Sequence, residues 1–474
     1  MQTISKKFEI GFCIFRRDLR VADNPALFSA LELCRKVVAI YDPVIDLRRL
    51  LGQNQQWWLG KALQELKINL AKLGVQLIFG QDNFNALNAA QELGVQAIFW
   101  NHVYLQDVFA RDERLAIACG EAGIEVFAFK ASLILNPWEI ENKQGKPFRV
   151  FTPFYKELGR RYEKTELLPL PKPQETNFEV NPVQETSLAL DLPQAPIDAG
   201  VAELWQPGEY AAHKVLANFC ENKIEDYAAQ RDFLALNATS NLSPYLHFGH
   251  LSPQQIILHV TKSSSSVSSK AFLRQLIWRE FAWHLLYHFP KIATENFDKK
   301  FDNFAWINDE KKLELWQRAA TGFPIVDAAM TELVKSGTMH NRARMVVASF
   351  LVKDLMLDWR HGEAFFWQHL VDADEANNLI GWQWTAGCGP DPAPFFRIFN
   401  PLLQSKKFDA EGAYIKKWLP LLKKLSKKYI HEPSKAPAKN LAEAGLELGK
   451  NYAWPIVDHS LVAKKSMAAY KQIK

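Results

Sequence analysis

Up to residue 135 the chain alternates short apolar runs with longer amphipathic stretches. Phe8–Phe15, Val37–Asp42, Val75–Phe79, Ala97–Trp100 and Ile124–Phe129 are compact and rich in Val, Ile and Phe. Such runs predict strands buried on both faces, as in a parallel sheet. Between them, Gln55–Leu73 and Asp107–Ala122 repeat apolar positions at helical spacing. Alternation of this kind predicts βαβ units with right-handed crossovers, and so a Rossmann-like α/β domain over residues 1–135. Residues 136–200 are expected to connect two domains, because Glu166–Gly200 is rich in Pro, Glu, Gln and Thr and has no sustained period. From Val201 helical patterns take over, punctuated by Leu242-Ser-Pro, Thr321-Gly-Phe-Pro and Phe399-Asn-Pro. Residues 201–474 are therefore expected to be all-α. The Ser-rich stretch Thr261–Lys270 predicts a surface loop.

Composition narrows the function classes. Apolar residues make up 48% and charged residues 23% of 474, the mix of a globular protein rather than a disordered one. No run approaches the ~20 apolar residues of a membrane helix. The N-terminal run holds Glu9 and ends at Arg16-Arg-Asp18, which is not a signal peptide. A cytoplasmic protein is expected. Five scattered cysteines without a CxxC pair give no zinc or iron–sulfur pattern. The first strand is followed by Phe12-Cys-Ile-Phe-Arg-Arg-Asp-Leu-Arg20 where a dinucleotide fold would carry GxGxxG, so no dinucleotide is expected there. The net charge of +5 permits a polyanionic partner if the cations cluster, and they thicken late, from Arg397 to Lys428. Fifteen Trp is an unusual surplus.

Several stretches of the helical half carry candidate chemistry. Glu280 and Trp283 lie three apart, which sets a carboxylate beside a stacking platform, the pairing needed to hold an extruded base. A core Trp beside a surface Glu has the same spacing. Asn341, Arg344 and Met345 share one helix face and could read a nucleobase edge with an amide and a pliable apolar contact. Asp372 and Asp374 could bind a metal, a ribose or a base. With no His or third acid in the stretch, a metal is disfavoured, and ribose hydroxyls or Arg344 fit better. Thr239-Ser-Asn-Leu-Ser243 could cradle a diphosphate or cap a helix.

Taken together, these stretches closely resemble the DNA photolyase and cryptochrome family over nearly the whole chain. The resemblance runs through Phe15-Arg-Arg-Asp-Leu-Arg-Val-Ala-Asp-Asn24, Trp205–Glu209, Leu242-Ser-Pro-Tyr-Leu-His-Phe-Gly249, Trp278-Arg-Glu-Phe-Ala-Trp283, Gly322-Phe-Pro-Ile-Val-Asp-Ala328 and Phe395-Phe-Arg-Ile-Phe-Asn-Pro401. It implies one FAD in an all-α FAD-binding domain, active as FADH−. Tyr227, Thr239, Ser240, Leu242 and Ser243 would hold its phosphate and ribose parts, and Arg279 would also bind the cofactor. Arg344, paired with Asp372, and Asp374 would lie near the flavin ring, and Asn378 would face N5. An Asn there is typical of repair enzymes, whereas plant cryptochromes carry Asp. Trp382, Trp359 and Trp306 match the family's electron-transfer chain of indoles.

The resemblance further implies light-driven repair of cyclobutane pyrimidine dimers in ultraviolet-damaged DNA, with a signalling cryptochrome as the alternative. Asn341 and Met345 stand at positions typical of enzymes for that lesion. Glu280, Trp283, Asn341, Met345 and Trp384 would line its pocket. Arg231, Arg342, Arg397 and Lys406 would touch phosphates around the mouth. An antenna chromophore is expected in residues 1–135, near Trp100–Asp112. The folate 5,10-methenyltetrahydrofolate is favoured over 8-hydroxy-deazaflavin because Trp57-Trp58 resembles folate-using relatives. No heptad seam marks a coiled-coil partner, and a monomer is expected.

Overall fold

The computed structural model describes residues 6–80, 85–162, 166–173, 192–391 and 396–473. Most of the Pro-rich connector and Phe395 of the last motif lie outside them. Five strands form one parallel sheet in the order β3-β2-β1-β4-β5: β1 (Phe8–Phe15), β2 (Cys34–Tyr41), β3 (Gln76–Phe79), β4 (Ala97–Asn101) and β5 (Glu125–Phe129). The β1–β2 register runs from Phe8 opposite Cys34 to Phe15 opposite Tyr41, and Gly11 to Ile14 of β1 meet Ala97 to Trp100 of β4. Phe12, Ile14, Val38, Ile40, Ile98 and Trp100 form the core on one face, and Cys13, Phe15, Val37, Ala39 and Phe99 at the alternate positions are buried as well, which is why these strands read as continuous apolar runs.

Helix α1 (Pro25–Leu33) is capped by Asn24, whose side chain accepts Leu27 N–H at 3.2 Å, and α2 (Gln53–Ala71) and α3 (Gln106–Glu121) are the longest helices of the α/β part, beside the short helices Val44–Arg48 and Ala86–Glu92. Then come α4 (Pro253–Ser263), α5 (Val267–His288), α6 (Pro324–Ser336), α7 (Asn341–Ser349), α8 (Trp359–His369), α9 (Glu375–Ala386), α10 (Pro401–Phe408), α11 (Ala413–Trp418) and α12 (His459–Ile473). After β5 the described residues hold one isolated bridge, Leu448–Tyr452, and no further strand.

The Ser-rich stretch is not a loop. Thr261–Ser263 end α4, Val267–Lys270 begin α5, and only 264–266 lie between. The serines serve the helices: the Ser266 side chain caps α5 by accepting Ser269 N–H at 3.2 Å, and Ser263 Oγ donates to His259 O. Composition hid two helix ends.

Contacts group the chain into two compact units, Met1–Pro196 with Trp205–Glu225 and Ser240–Pro290, and Ile197–Leu204 with Asp226–Thr239 and Lys291–Lys474. Compactness thus divides the chain elsewhere than composition does, with α4 and α5 counted alongside the sheet. The quoted motifs have structural work in the first unit. Arg16 is buried and donates to both oxygens of Asp112 at 2.6 and 2.8 Å, with Asp42 3.4 Å from its Nε. Glu209 accepts Val21 and Ala22 N–H, both at 2.8 Å. Gly249 has φ +71, and a Cβ there would stand 2.0 Å from Arg17 O, so only glycine fits.

Candidate functional site

In the second unit, α7, α8 and α9 gather most of the expected flavin-side residues. The His340 ring nitrogen Nδ1 caps α7 by accepting Arg342 N–H at 3.1 Å, so Asn341 is the first helical residue and stands exposed. Three residues on, Arg344 donates from Nε to Met339 O (2.8 Å) and from the single nitrogen Nη2 to Asp372, at 3.0 and 3.1 Å to its two oxygens. Asp372 is buried, and a hydrogen bond between two charged groups is stronger than one between neutral groups. Asp374 caps α9: its Oδ1 accepts Asn377 N–H at 2.8 Å and the Asn377 amide at 2.6 Å.

One turn into α9, Asn378 donates to Glu363 of α8 twice, to its backbone carbonyl at 3.0 Å and its carboxylate at 2.8 Å. Both amide hydrogens are thereby used, and the carbonyl oxygen is what Asn378 offers a ligand. Trp382 lies one turn further, 2% exposed, against α8. A Cβ on Gly362 would stand 2.1 Å from its indole, so the glycine makes the seat. Trp359 begins α8, 1% exposed, and its Nε1–H donates to Asn296 at 2.9 Å. Trp306 is half-buried, with its ring 4.5 Å from Phe304. Trp58, Trp316 and Trp367 are fully buried, so part of the Trp surplus is core.

Trp384 lines a small pocket with Lys353, Thr385, Phe396, Arg397 and Tyr470. Lys353 was invisible in the helical pattern. It belongs to a π-helical turn after α7, Phe350–Asp354, that turns it inward. Burial pulls its pKa down to about 7, and Nζ donates to Arg397 O at 2.5 Å. The Arg397 and Lys406 side chains are exposed, as phosphate contacts must be. Arg342 is otherwise placed: it pairs with Asp232 at 2.7 Å and lies over Phe408. Arg231 lies over Tyr227, 4.0 Å from the same Asp232. A phosphate would have to compete with that carboxylate for both arginines. Thr239 also falls in this unit.

In the first unit, Ser240, Leu242 and Ser243 lead into the short helix Ser243–His247. Asn241 has φ +55, and Leu242 N–H approaches Ser240 Oγ at 3.4 Å. On α5, Glu280 faces inward. Its carboxylate is 2% exposed, accepts Ile134 N–H at 2.6 Å and meets Arg279 at 3.2 Å. A base edge would have to displace those partners. Arg279 itself donates to Ser132 O at 2.9 Å. Trp283 keeps a buried Nε1–H without a partner, which an incoming acceptor could satisfy. The same helix repeats the polar-plus-indole spacing at Gln275 and Trp278, both half-buried, with Trp278 stacked on Phe151 at 3.5 Å. Reading every i, i+3 pair along α5 would have found it. In the stretch expected to touch an antenna, Asp112 is held by Arg16 and Arg111 donates to Asp42 at 2.7 Å. Trp57 and Trp58 are both buried, Trp58 donating to His250 at 3.0 Å. An open groove along β5 and α3 is lined by Trp100, His102, Phe109 and Glu113.

Among the described residues no helix is long and apolar enough to cross a membrane. The model for the FAD binding domain of DNA photolyase matches residues 272–472, and the DNA photolyase model matches residues 12–174. A deoxyribodipyrimidine photo-lyase of Agrobacterium fabrum is 42% identical over 97% of each chain. Cryptochrome-2 of Arabidopsis thaliana is 36% identical over 94% of this chain and 76% of its own. A bacterial class III photolyase from Agrobacterium tumefaciens superposes with a TM-score of 0.92 at 39% identity, covering 100% of this chain and 99% of that one. The α/β sheet, the helices around Arg344, Asp372 and Asn378, and full-length likeness at this identity place the chain in the DNA photolyase/cryptochrome family.

Proposed function

We propose that this chain repairs cyclobutane pyrimidine dimers in DNA under blue light, as a cytoplasmic monomer. Residues 201–474 would hold FAD and residues 1–135 an antenna, joined by 136–200. Fully reduced FAD, when bound, supplies on excitation the electron that splits the dimer and takes it back, without net redox change. The observation that carries the reading is the Asn378–Glu363 contact. With both amide hydrogens held by Glu363, Asn378 presents only an acceptor. An acceptor suits a ring nitrogen that bears hydrogen, as N5 does in the reduced flavin. The Arg344–Asp372 pair offers a charge-balanced polar edge near it in sequence, and Asp374 a further carboxylate.

Tyr227, Thr239, Ser240, Leu242 and Ser243 are proposed for the phosphate and ribose parts, with Arg279 as a further cofactor contact. Exposed Asn341, with Met345, Trp283 and Trp384, would grip the extruded dimer. Gln275 and Trp278 are proposed to take the role expected of Glu280. Trp382, Trp359 and Trp306 would pass electrons inward. Arg397 and Lys406 would hold phosphate, and Arg231 and Arg342 would do so in competition with Asp232. A folate antenna, favoured over a deazaflavin, would use the groove along β5 and α3.

The test is repair of a thymine-dimer oligonucleotide by the chemically reduced holoprotein, lit or dark. Thymine should reappear in the lit arm alone. No repair with reduced flavin present would overturn this reading in favour of a light-signalling role.

A further inference from the structure

The net positive charge of the chain is concentrated in one short stretch. Pro401–Lys435 holds nine lysines against Asp409, Glu411 and Glu432, a net of +6, while the other residues carry 48 basic and 49 acidic side chains. Elsewhere the surface interleaves the two signs, as in Lys299–Glu295, Arg318–Glu314 and Lys450–Glu447. Here it does not. Asp409 is turned inward, where its oxygens accept Tyr414 and Ile415 N–H at 2.9 and 3.0 Å. Among these lysines Lys427 alone pairs with a carboxylate, that of Glu411 at 3.1 Å. Lys406, Lys407, Lys417, Lys423, Lys424, Lys428 and Lys435 are exposed.

The stretch is also fixed. Helices α10 and α11 and the turn Pro420–Leu422 fold over buried Phe408, Tyr414, Ile415, Leu422, Leu425 and Ile430. The Tyr414 hydroxyl donates to Glu332 of α6 at 2.6 Å, and the Ser405 hydroxyl lies 2.7 Å from His431 Nδ1. Aromatic rings lie under the cations, Trp418 beneath Lys417 at 4.7 Å and Tyr429 beneath Lys428 at 5.1 Å. Cations segregated on a packed backbone hold a positive potential, and the partner that matches it best is a regular array of negative charges.

We propose that Ala413–Lys435 is a second nucleic-acid surface, which tracks the phosphates of intact duplex beyond Lys406 and outside the lesion pocket. The proposal rests on the reading of the chain as a DNA-acting protein but not on its photochemistry. Undamaged duplex would be held without regard to sequence, and the hold would weaken steeply with salt.

The test titrates the full-length holoprotein in the dark with an undamaged 30-base-pair duplex from 50 to 200 mM salt. It compares wild type with K417E/K423E/K424E/K428E and with the neutral K417Q/K423Q/K424Q/K428Q. Both variants should melt as wild type does. The expected result is at least a tenfold loss of affinity at 50 mM and a log–log salt slope shallower by about 2 to 4, given about 0.9 per phosphate contact. Slopes and affinities equal to wild type would overturn the proposal. So would loss of binding to anionic vesicles of 30% phosphatidylserine with duplex binding intact, which would make the surface a membrane one. Duplex binding lost in the variants while the wild type repairs no dimer would sink the repair reading and leave this surface standing.

Discussion

The Glu280 carboxyl is almost fully enclosed, and burial pushes its pKa up to about 7 against the pull of Arg279 and Ile134 N–H. A raised pKa in the folded protein means that the native state keeps a proton the unfolded chain has released. The stability it contributes is therefore full below about 4.5 and falls as pH climbs to about 7. Glu280→Gln keeps an acceptor for Ile134 and removes the titration. Urea unfolding at pH 5 and pH 8 should show wild type losing up to about 3 kcal/mol more than the variant across that window. An identical pH response in the two would mean that water reaches the carboxylate. Spacing alone could not separate this pair from Gln275 and Trp278, because i, i+3 adjacency is the same on either side of a helix. Which side is covered depends on what the rest of the fold lays against it.

Among the elements, the strands were the most legible. All five apolar runs became strands with ends shifted by at most three residues, and the three central ones, β2, β1 and β4, are mostly buried on both faces, which leaves a continuous apolar signature. Helix ends in polar sequence were not, as Thr261–Lys270 showed, because a serine that caps and a serine in a loop are the same letter. The π-helical turn that buries Lys353 left no sequence mark either. Between α8 and α9 the decisive residue has no side chain. Gly362→Ala should drive a methyl into the Trp382 indole and cost about 1–3 kcal/mol, measured by chemical unfolding. A neutral effect would mean that the two helices can part without loss.

For the whole molecule, the motif order was legible in sequence, while the charge distribution needed the fold, because only the fold turns Asp409 inward and leaves the lysines out. The same holds at the mouth of the sheet. Arg16, Asp42 and Asp112 occupy the end of β1, where an open α/β sheet ordinarily admits a nucleotide. Each charge there is the others' solvent. A mutation toward a glycine-rich loop that removed Arg16 would strand the buried Asp112 carboxylate, while Asp42 would keep Arg111 at 2.7 Å. Abundant cellular pyridine nucleotides should consequently find no foothold on this sheet, and NADH fluorescence should not change on titration with the protein. The end of the sheet where such a fold takes its ligand is filled by the protein's own paired charges.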